Sequence, residues 1–239
     1  MVGILVTTLI SPSQAANENR QFVRLSDPKK PAKIKINLID GDLNISSHDK
    51  PAVEILAISK KKNSSIAIST NEDDNVVHIR VAPRSNVDDL QINVPVNSSL
   101  DVDVINGNVK VSRVKGELEV TVKDGHIKLD QISGHVMANT VDGNITLELI
   151  EATPGKPMSL STVDGDILLS LPKKVKATVN ASTVDGRIQL EHPTGTVSSS
   201  QQLSGLSNQT ILFNAGGSKY QLSTINGDIL IQAGKPSPK

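Results

Sequence analysis

The residues best placed to do chemistry are acidic, and they recur beside glycine. Asp/Asn-Gly pairs stand at Asp40-Gly41, Asn106-Gly107, Asp124-Gly125, Asp142-Gly143, Asp164-Gly165, Asp185-Gly186 and Asn226-Gly227. From Asn106 onward the steps are 18, 18, 22, 21 and 41 residues. Carboxylates repeated in this way suit three kinds of chemistry. Stacked oxygens bind Ca²⁺, two flanking carboxylates cleave a glycosidic bond, and an Asx side chain accepts the backbone N–H groups of a tight corner. The Ca²⁺-binding Gly-Gly-x-Gly-x-Asp nonapeptide is absent. Asn106 and Asn226 replace Asp at the two ends of the regular series. An amide still accepts a turn hydrogen bond but brings no charge to a cation. The pattern therefore points to structural turns, with Gly taking the positive φ of each corner.

Other sources of chemistry are scarce. The histidines are His48, His78, His126, His135 and His192. His126 and His135 lie nine residues apart, each directly after a Gly. If nine residues are half a coil, they face opposite sides and share no metal. There is no cysteine, which excludes disulfides, thiolate metal sites and a Cys nucleophile. Walker, Gly-x-Ser-x-Gly and His-Glu-x-x-His motifs are all missing. Lysine plus arginine equals aspartate plus glutamate at 25 each, so no net field attracts nucleic acid. Only Phe22, Phe213 and Tyr220 could stack on a base or a sugar. Lys60-Lys61-Lys62 reads as a solvated turn. The Asn-x-Ser/Thr sequons at Asn44, Asn63, Asn97, Asn144, Asn180 and Asn208 read as Ser/Thr-rich strand composition. The expectation is a non-enzyme with no catalytic residue, cofactor or metal.

The elements that position these corners are strands. Aligned on Gly107, Gly116, Gly125, Gly134 and Gly143, nine-residue rows repeat. Position +2 holds Val109, Leu118, Ile127, Val136 and Ile145; position +4 holds Val111, Val120, Leu129, Ala138 and Leu147. Position +7 holds Val114, Lys123, Ile132, Val141 and Ile150, with Lys123 the single break. Positions +1 and +3 are mostly polar. This is period-2 alternation, one face in a core and one in water. Asp-Gly is also a hairpin signal, so an antiparallel meander is one solution. A solenoid is favoured because whole columns repeat: Val109, Ile127, Ile145, Ile167, Ile188 and Ile229 fill one of them. Coils stacked in register about 4.8 Å apart would place such residues above one another in a narrow core. A narrow core would also explain the shortage of rings. The expected fold is all-β, a single-stranded β-solenoid of about 18–22-residue coils with a β N-terminal cap.

Four segments are expected. Residues 1–16 read as a signal peptide, with residues 2–10 apolar and small residues at Ser13 and Ala15 before a cleavage point. No Lys or Arg precedes that run, which suggests a start further upstream. Residues 20–100 form the N-terminal β cap or first coils, residues 101–232 the repeat, and 233–239 a flexible tail. The step of 41 suggests one turn lacking its Asp-Gly, with 193–218 as an irregular excursion. No run of about 18 apolar residues predicts a transmembrane span.

The unit Thr-Val-Asp-Gly-x-Ile stands in Ser161–Ile167 and Ser182–Ile188, with Thr-Ile-Asn-Gly-Asp-Ile in Ser223–Ile229. Together with the lead-in Leu90–Val96 and the closing Leu222–Ile231, it resembles the bacterial family of unknown function labelled "putative adhesin". The resemblance covers about residues 33–232. It implies a solenoid-like fold, an envelope or surface location in the periplasm or outside the cell, and no reaction. On this reading the chain is an exported binding module with an envelope or surface protein partner. The +1 and +3 columns would supply contact, and 193–218 specificity. The alternative is a self-assembling structural protein, against which Pro28-Lys-Lys-Pro31 and the Pro-Lys tail are expected to block the ends. A carbohydrate-active enzyme is the third reading; it would need a cleft with perturbed carboxylates.

Overall fold

A computed structural model describes residues 17–61, 66–82 and 85–234. Residues 1–16, expected to be a signal peptide, and the last five residues lie outside these. The strands, in chain order, are β1 (Asn17–Arg24), β2 (Ala32–Asp40), β3 (Asp42–His48), β4 (Ala52–Ser59), β5 (Ile68–Asp73), β6 (Val76–Val81) and β7 (Asp89–Pro95). Then come β8 (Ser98–Asn106), β9 (Val109–Ser112), β10 (Lys115–Asp124), β11 (Ile127–Asp142), β12 (Ile145–Glu151), β13 (Met158–Ser161) and β14 (Ile167–Leu171). The last are β15 (Ala177–Asp185), β16 (Ile188–Glu191), β17 (Gly195–Leu203), β18 (Leu206–Phe213), β19 (Ser218–Asn226) and β20 (Ile229–Ala233). The described residues contain no helix, so none is long and apolar enough to cross a membrane.

The strands form two rows. In the first the order is β5, β6, β2, β8, β10, β11, β13, β19, β15, β18, β17. In the second it is β1, β4, β7, β3, β9, β11, β12, β14, β20, β16. β11 passes from the second row to the first, so the two belong to one continuous sheet. From β6 to β15, and from β7 to β16, every pairing is parallel and equivalent residues face each other. Leu43, Val109, Ile127, Ile145, Ile167, Ile229 and Ile188 form one unbroken ladder. These are the pairings of a solenoid-like stack. A meander would have been antiparallel throughout.

The alternation in the sequence sets the core. Val109, Val111, Leu118, Val120, Ile127, Leu129, Val136, Ala138, Ile145 and Leu147 are all buried, and both rows feed one apolar cluster. Each such Val, Leu or Ile contributes about 1.5–3 kcal/mol by leaving water. Phe213 and Tyr220 are buried too, which leaves Phe22 as the exposed ring.

The +7 column is a mixture. Val114 and Ile132 are buried, whereas Lys123 and Val141 are exposed. The true repeat is a coil of about 18 residues with two unlike corners, so a nine-residue alignment merges an inward position with an outward one. Lys123 breaks nothing, because its position faces water.

Chain order and stacking order differ at both ends. β2 and β3 lie between β6–β7 and β8–β9. β19 and β20 lie between β13–β14 and β15–β16. The step of 41 residues therefore hides no missing turn. After β16 the chain forms the antiparallel pair β17–β18 on the outside of β15, then returns inward as β19. Residues 193–218, expected to be irregular, are mostly this hairpin. At the other end β4 adds antiparallel to β7, β1 antiparallel to β4, and β5 antiparallel to β6. Pro28 and Pro31 occupy the loop between β1 and β2, not an outermost strand.

Candidate contact edge

The Asp/Asn-Gly corners line up along one edge. In space the glycines run Gly41, Gly107, Gly125, Gly143, Gly165, Gly227, Gly186. A Cβ built on each from Gly107 onward would lie 1.9–2.1 Å from the carbonyl oxygen of the preceding glycine in that order. From Gly41 to Gly227 their φ values lie between +120° and +158°. Two independent constraints, handedness and close approach, thus exclude a side chain there.

The neighbouring acidic column runs Asp40, Asn106, Asp124, Asp142, Asp164, Asn226, Asp185. The two asparagines, terminal in the regular series of the sequence, are interior here. Asn106 Nδ2 donates to Asp40 Oδ1 at 2.8 Å, and Asn226 Nδ2 donates to Asp164 Oδ1. Each amide separates two carboxylates and satisfies one of them. Asp124, Asp142 and Asp164 remain consecutive. Desolvation within the stack, a hydrogen bond with Asp124, and the charges of Asp124 and Asp164 push the Asp142 carboxyl above its ordinary value.

The residue after each glycine builds a second ladder. Asn108 N–H donates to Asp42 Oδ1, His126 N–H to Asn108 Oδ1, and Asn144 N–H to His126 Nδ1. Asp166 N–H then donates to Asn144 Oδ1, Asp228 N–H to Asp166 Oδ1, and Arg187 N–H to Asp228 Oδ1. Every bond is 2.8–3.0 Å. As an acceptor at Nδ1, His126 carries its ring proton on Nε2. The +1 side chains thus spend an acceptor on the next coil.

Three residues before the glycine a third ladder appears in the C-terminal half. Buried Thr140, Thr162, Thr224 and Thr183 donate Oγ1–H to the carbonyls of Gly125, Gly143, Gly165 and Gly227. Leu38, Val104 and Val122 hold the same place in the N-terminal half. The sequence pattern Thr/Val there is a choice between a hydrogen bond and apolar contact.

Two residues before the glycine lies a row that sequence reasoning missed. Ile39, Ile105, Val141, Val163, Ile225 and Val184 are each 36–45% exposed, with Lys123 between Ile105 and Val141. Leu203, at the tip of the β17–β18 hairpin, is 73% exposed. A Cβ built on Gly205 in that tip would lie 3.5 Å from Val184 O and 3.6 Å from Asp185 Oδ1, which sets the hairpin tip beside the Val184 end of the row. At the other end Ile39 and Ile105 border a groove of about 560 Å³ with Ile68 and Val81. The signal was available: consecutive apolar or Thr residues at −3 and −2 cannot both face inward on a strand.

Several other titratable side chains make contacts within the scaffold. His126 and His135 do not meet: His126 sits in the corner ladder, while His135 Nδ1 contacts Pro157 O. His192 is buried edge-on against Phe213, with ring centroids 5.0 Å apart. A hydrogen bond from Lys156 and its charge draw the Glu117 carboxyl below its usual value. Burial pushes the Tyr220 hydroxyl up to about 12. Among the described residues no three His, Asp or Glu gather as a metal site would require.

Residues 15–232 match the family described as Toastrack DUF4097, and the chain belongs to that family. No curated protein matches it. Among solved structures it is similar to a "putative cell adhesion protein" from Clostridium sporogenes ATCC 15579. Identity is 15%, the TM-score 0.55, and the match covers 91% of this chain and 99% of the other. That likeness establishes a shared fold. A "putative adhesin" from Bacteroides fragilis NCTC 9343 aligns over 93% of this chain and 99% of its own, at 12% identity and a TM-score of 0.31.

Proposed function

We propose that this Toastrack-family chain is a non-enzymatic binding module, exported to the cell envelope or surface, which holds a protein partner along its Asp/Asn-Gly edge. The observation that carries this reading is the exposed aliphatic row. A protein keeps an apolar strip in water at a cost, and such strips mark interaction sites; here Val141, Val163, Ile225 and Val184 form the unbroken part, with Lys123 parting them from Ile39 and Ile105. The strip is one β-branched residue wide, rigidly spaced at about 4.8 Å, and flanked by a row of carboxylates. A partner that fits it carries an apolar ridge bordered by Lys or Arg. The acidic row would steer such a partner and fix its register.

Support for export comes from the apolar residues 2–10 with small Ser13 and Ala15, and from the name of the Clostridium neighbour. Support for a non-enzymatic role comes from the corner columns, whose side chains are engaged with neighbouring coils. The burial of Phe213 and Tyr220 adds to it, since it removes two rings that a sugar site would use. The N-terminal strands β1, β4 and β5 serve as the cap in this reading.

The test is crosslinking in the native cells with the tagged full chain, followed by mass spectrometry of captured partners and of the crosslinked residues. One or a few envelope proteins, joined near the Val163–Ile225 stretch, are expected. Recovery from the cytoplasm with residues 1–16 intact, or the same partners captured by a Val163→Asp/Ile225→Asp variant, would overturn the proposal.

A further inference from the structure

The two ends of the stack differ in chemistry. At the N-terminal end the outer strands carry charge: Glu18, Arg20 and Arg24 on β1, and Glu72 and Asp73 on β5. Charges of this kind keep other chains from adding to a free edge. At the C-terminal end the outermost strand of the first row is β17, Gly-Thr-Val-Ser-Ser-Ser-Gln-Gln-Leu, with no Lys, Arg, Asp, Glu or Pro. Thr196 to Leu203 are all exposed. β17 pairs with β18 on one side, and among the described residues no strand pairs with its other side. A bulge between Val197 and Ser199 blunts the beginning of the strand. Beyond it Ser199, Ser200, Gln201, Gln202 and Leu203 pair regularly with Thr210, Gln209, Asn208, Ser207 and Leu206.

We propose that β17 is a pairing edge for a second copy of this chain, joined antiparallel through Ser199–Leu203 about a two-fold axis near Gln201. Three features favour a second copy. The segment is uncharged, so two copies meet without repulsion. It is rich in Ser and Gln, which hydrogen-bond across strands. Antiparallel pairing about a two-fold axis makes the contact isologous and closed, so it yields a dimer and not a fibre. Leu203 of each copy then leaves water opposite Ser199 of the other. The contact joins one short strand to another and is small, so the dimer forms in the weak range of about 0.1–1 mM or somewhat tighter.

The absence of cysteine makes the test direct. Gln201→Cys introduces the chain's single thiol at the axis, and Ser69→Cys places one on the charged β5 end. Mild oxidation of each is followed on a non-reducing gel, and sedimentation equilibrium of the unmodified chain is run up to about 1 mM. The expected result is a concentration-dependent dimer, a disulfide-linked dimer at least ten-fold faster for Gln201→Cys, and loss of the dimer in Ser200→Lys/Gln202→Lys. Those two side chains are exposed, so retained strand content by circular dichroism shows the variant folded. A monomer throughout the range, equal crosslinking at both ends, or a dimer unaffected by the two lysines would overturn the proposal. None of these outcomes bears on whether the aliphatic row from Ile39 to Val184 binds a different protein.

Discussion

Replacing Gly125 by alanine tests whether coil stacking truly requires glycine. The residue has φ +151°, and its added Cβ would meet Gly107 O at 2.1 Å and Gly107 C at 2.7 Å. Ordinary contact begins at 3.4 Å, so the two coils must part by more than about 1 Å. The bonds spanning that spot are Gly107 N–H to Asp124 O at 3.0 Å, Val109 N–H to His126 O at 2.9 Å, and His126 N–H to Asn108 Oδ1 at 3.0 Å. Each contributes about 1 kcal/mol, and the backbone conformation costs an alanine about 1–3 kcal/mol more. The expected loss is about 4–6 kcal/mol, a large part of a domain's total stability. Gly155→Ala is the control. Its φ is +76°, but nothing lies within 4 Å of an added Cβ, so only local strain of about 1–2 kcal/mol is expected. Urea unfolding of both variants, followed by far-UV circular dichroism, measures the difference. A Gly125→Ala cost within about 0.5 kcal/mol of the control would refute the close-approach argument.

Three further predictions concern the ladders. Asp142→Asn removes the middle of three stacked carboxylates. A carboxyl with a raised folded-state value binds its proton more tightly when folded, so stability falls as pH rises from the ordinary carboxylate value through the raised one. The variant should unfold at higher urea than the parent above that window and match it below; equal midpoints at pH 7 would count against crowding. Asn226→Asp puts a carboxylate between Asp164 and Asp185 and deletes the donor to Asp164, at a cost of about 1 kcal/mol at low salt. That cost should shrink as salt is raised, and a salt-independent loss would argue for packing instead. Thr224→Val removes the buried hydroxyl donated to Gly165 O at 2.9 Å and should cost about 1–2 kcal/mol by thermal or urea unfolding. A neutral result would mean that the Thr ladder is as dispensable as Val122 makes it in the N-terminal half.

The coil repeat was legible because it is written in columns. Val109, Ile127 and Ile145 alternate with Asn108, His126 and Asn144, and period-2 alternation with one residue type per column has one simple solution. Stacking order was not legible. Nothing in the sequence distinguishes β15–β16 from β19–β20 as the outer coil, since both carry Ser-Thr-Φ-Asx-Gly-x-Ile and fit either site. The order is fixed by the β17–β18 hairpin, whose Ser- and Gln-rich strands lack the apolar alternation that marks the core strands. Ile211 and Phe213 at the end of β18 are the exceptions: both are buried, and Phe213 packs edge-on against His192. The contact edge was obscured by a similar ambiguity. Val141 and Val163 look like core residues by type, and only the inward place of Thr140 and Thr162 shows that they must point out.

That stacking order also gives the two asparagines their place. Read along the chain, Asn106 and Asn226 bracket a run of four aspartates, an arrangement that would leave Asp124, Asp142, Asp164 and Asp185 consecutive. Inward return of β19 slips Asn226 between Asp164 and Asp185, and the insertion of β2 before β8 puts Asn106 between Asp40 and Asp124. The same two insertions place the first and last coils of the repeat one layer in from each end. A terminal strand on the outside would be held by one ladder; here β2 and β20 are each held by two. The cost is non-local pairing, as Asp40 meets Asn106 and Asp164 meets Asn226 across 66 and 62 residues, and such contacts slow folding. One topological device thus resolves two problems of an in-register stack. It interrupts the like charges that repetition would pile up, and it takes the C-terminal strand β20 off the exposed edge. What stays on the outside of the first row at the C-terminal end is β17, a strand with no charge to defend it.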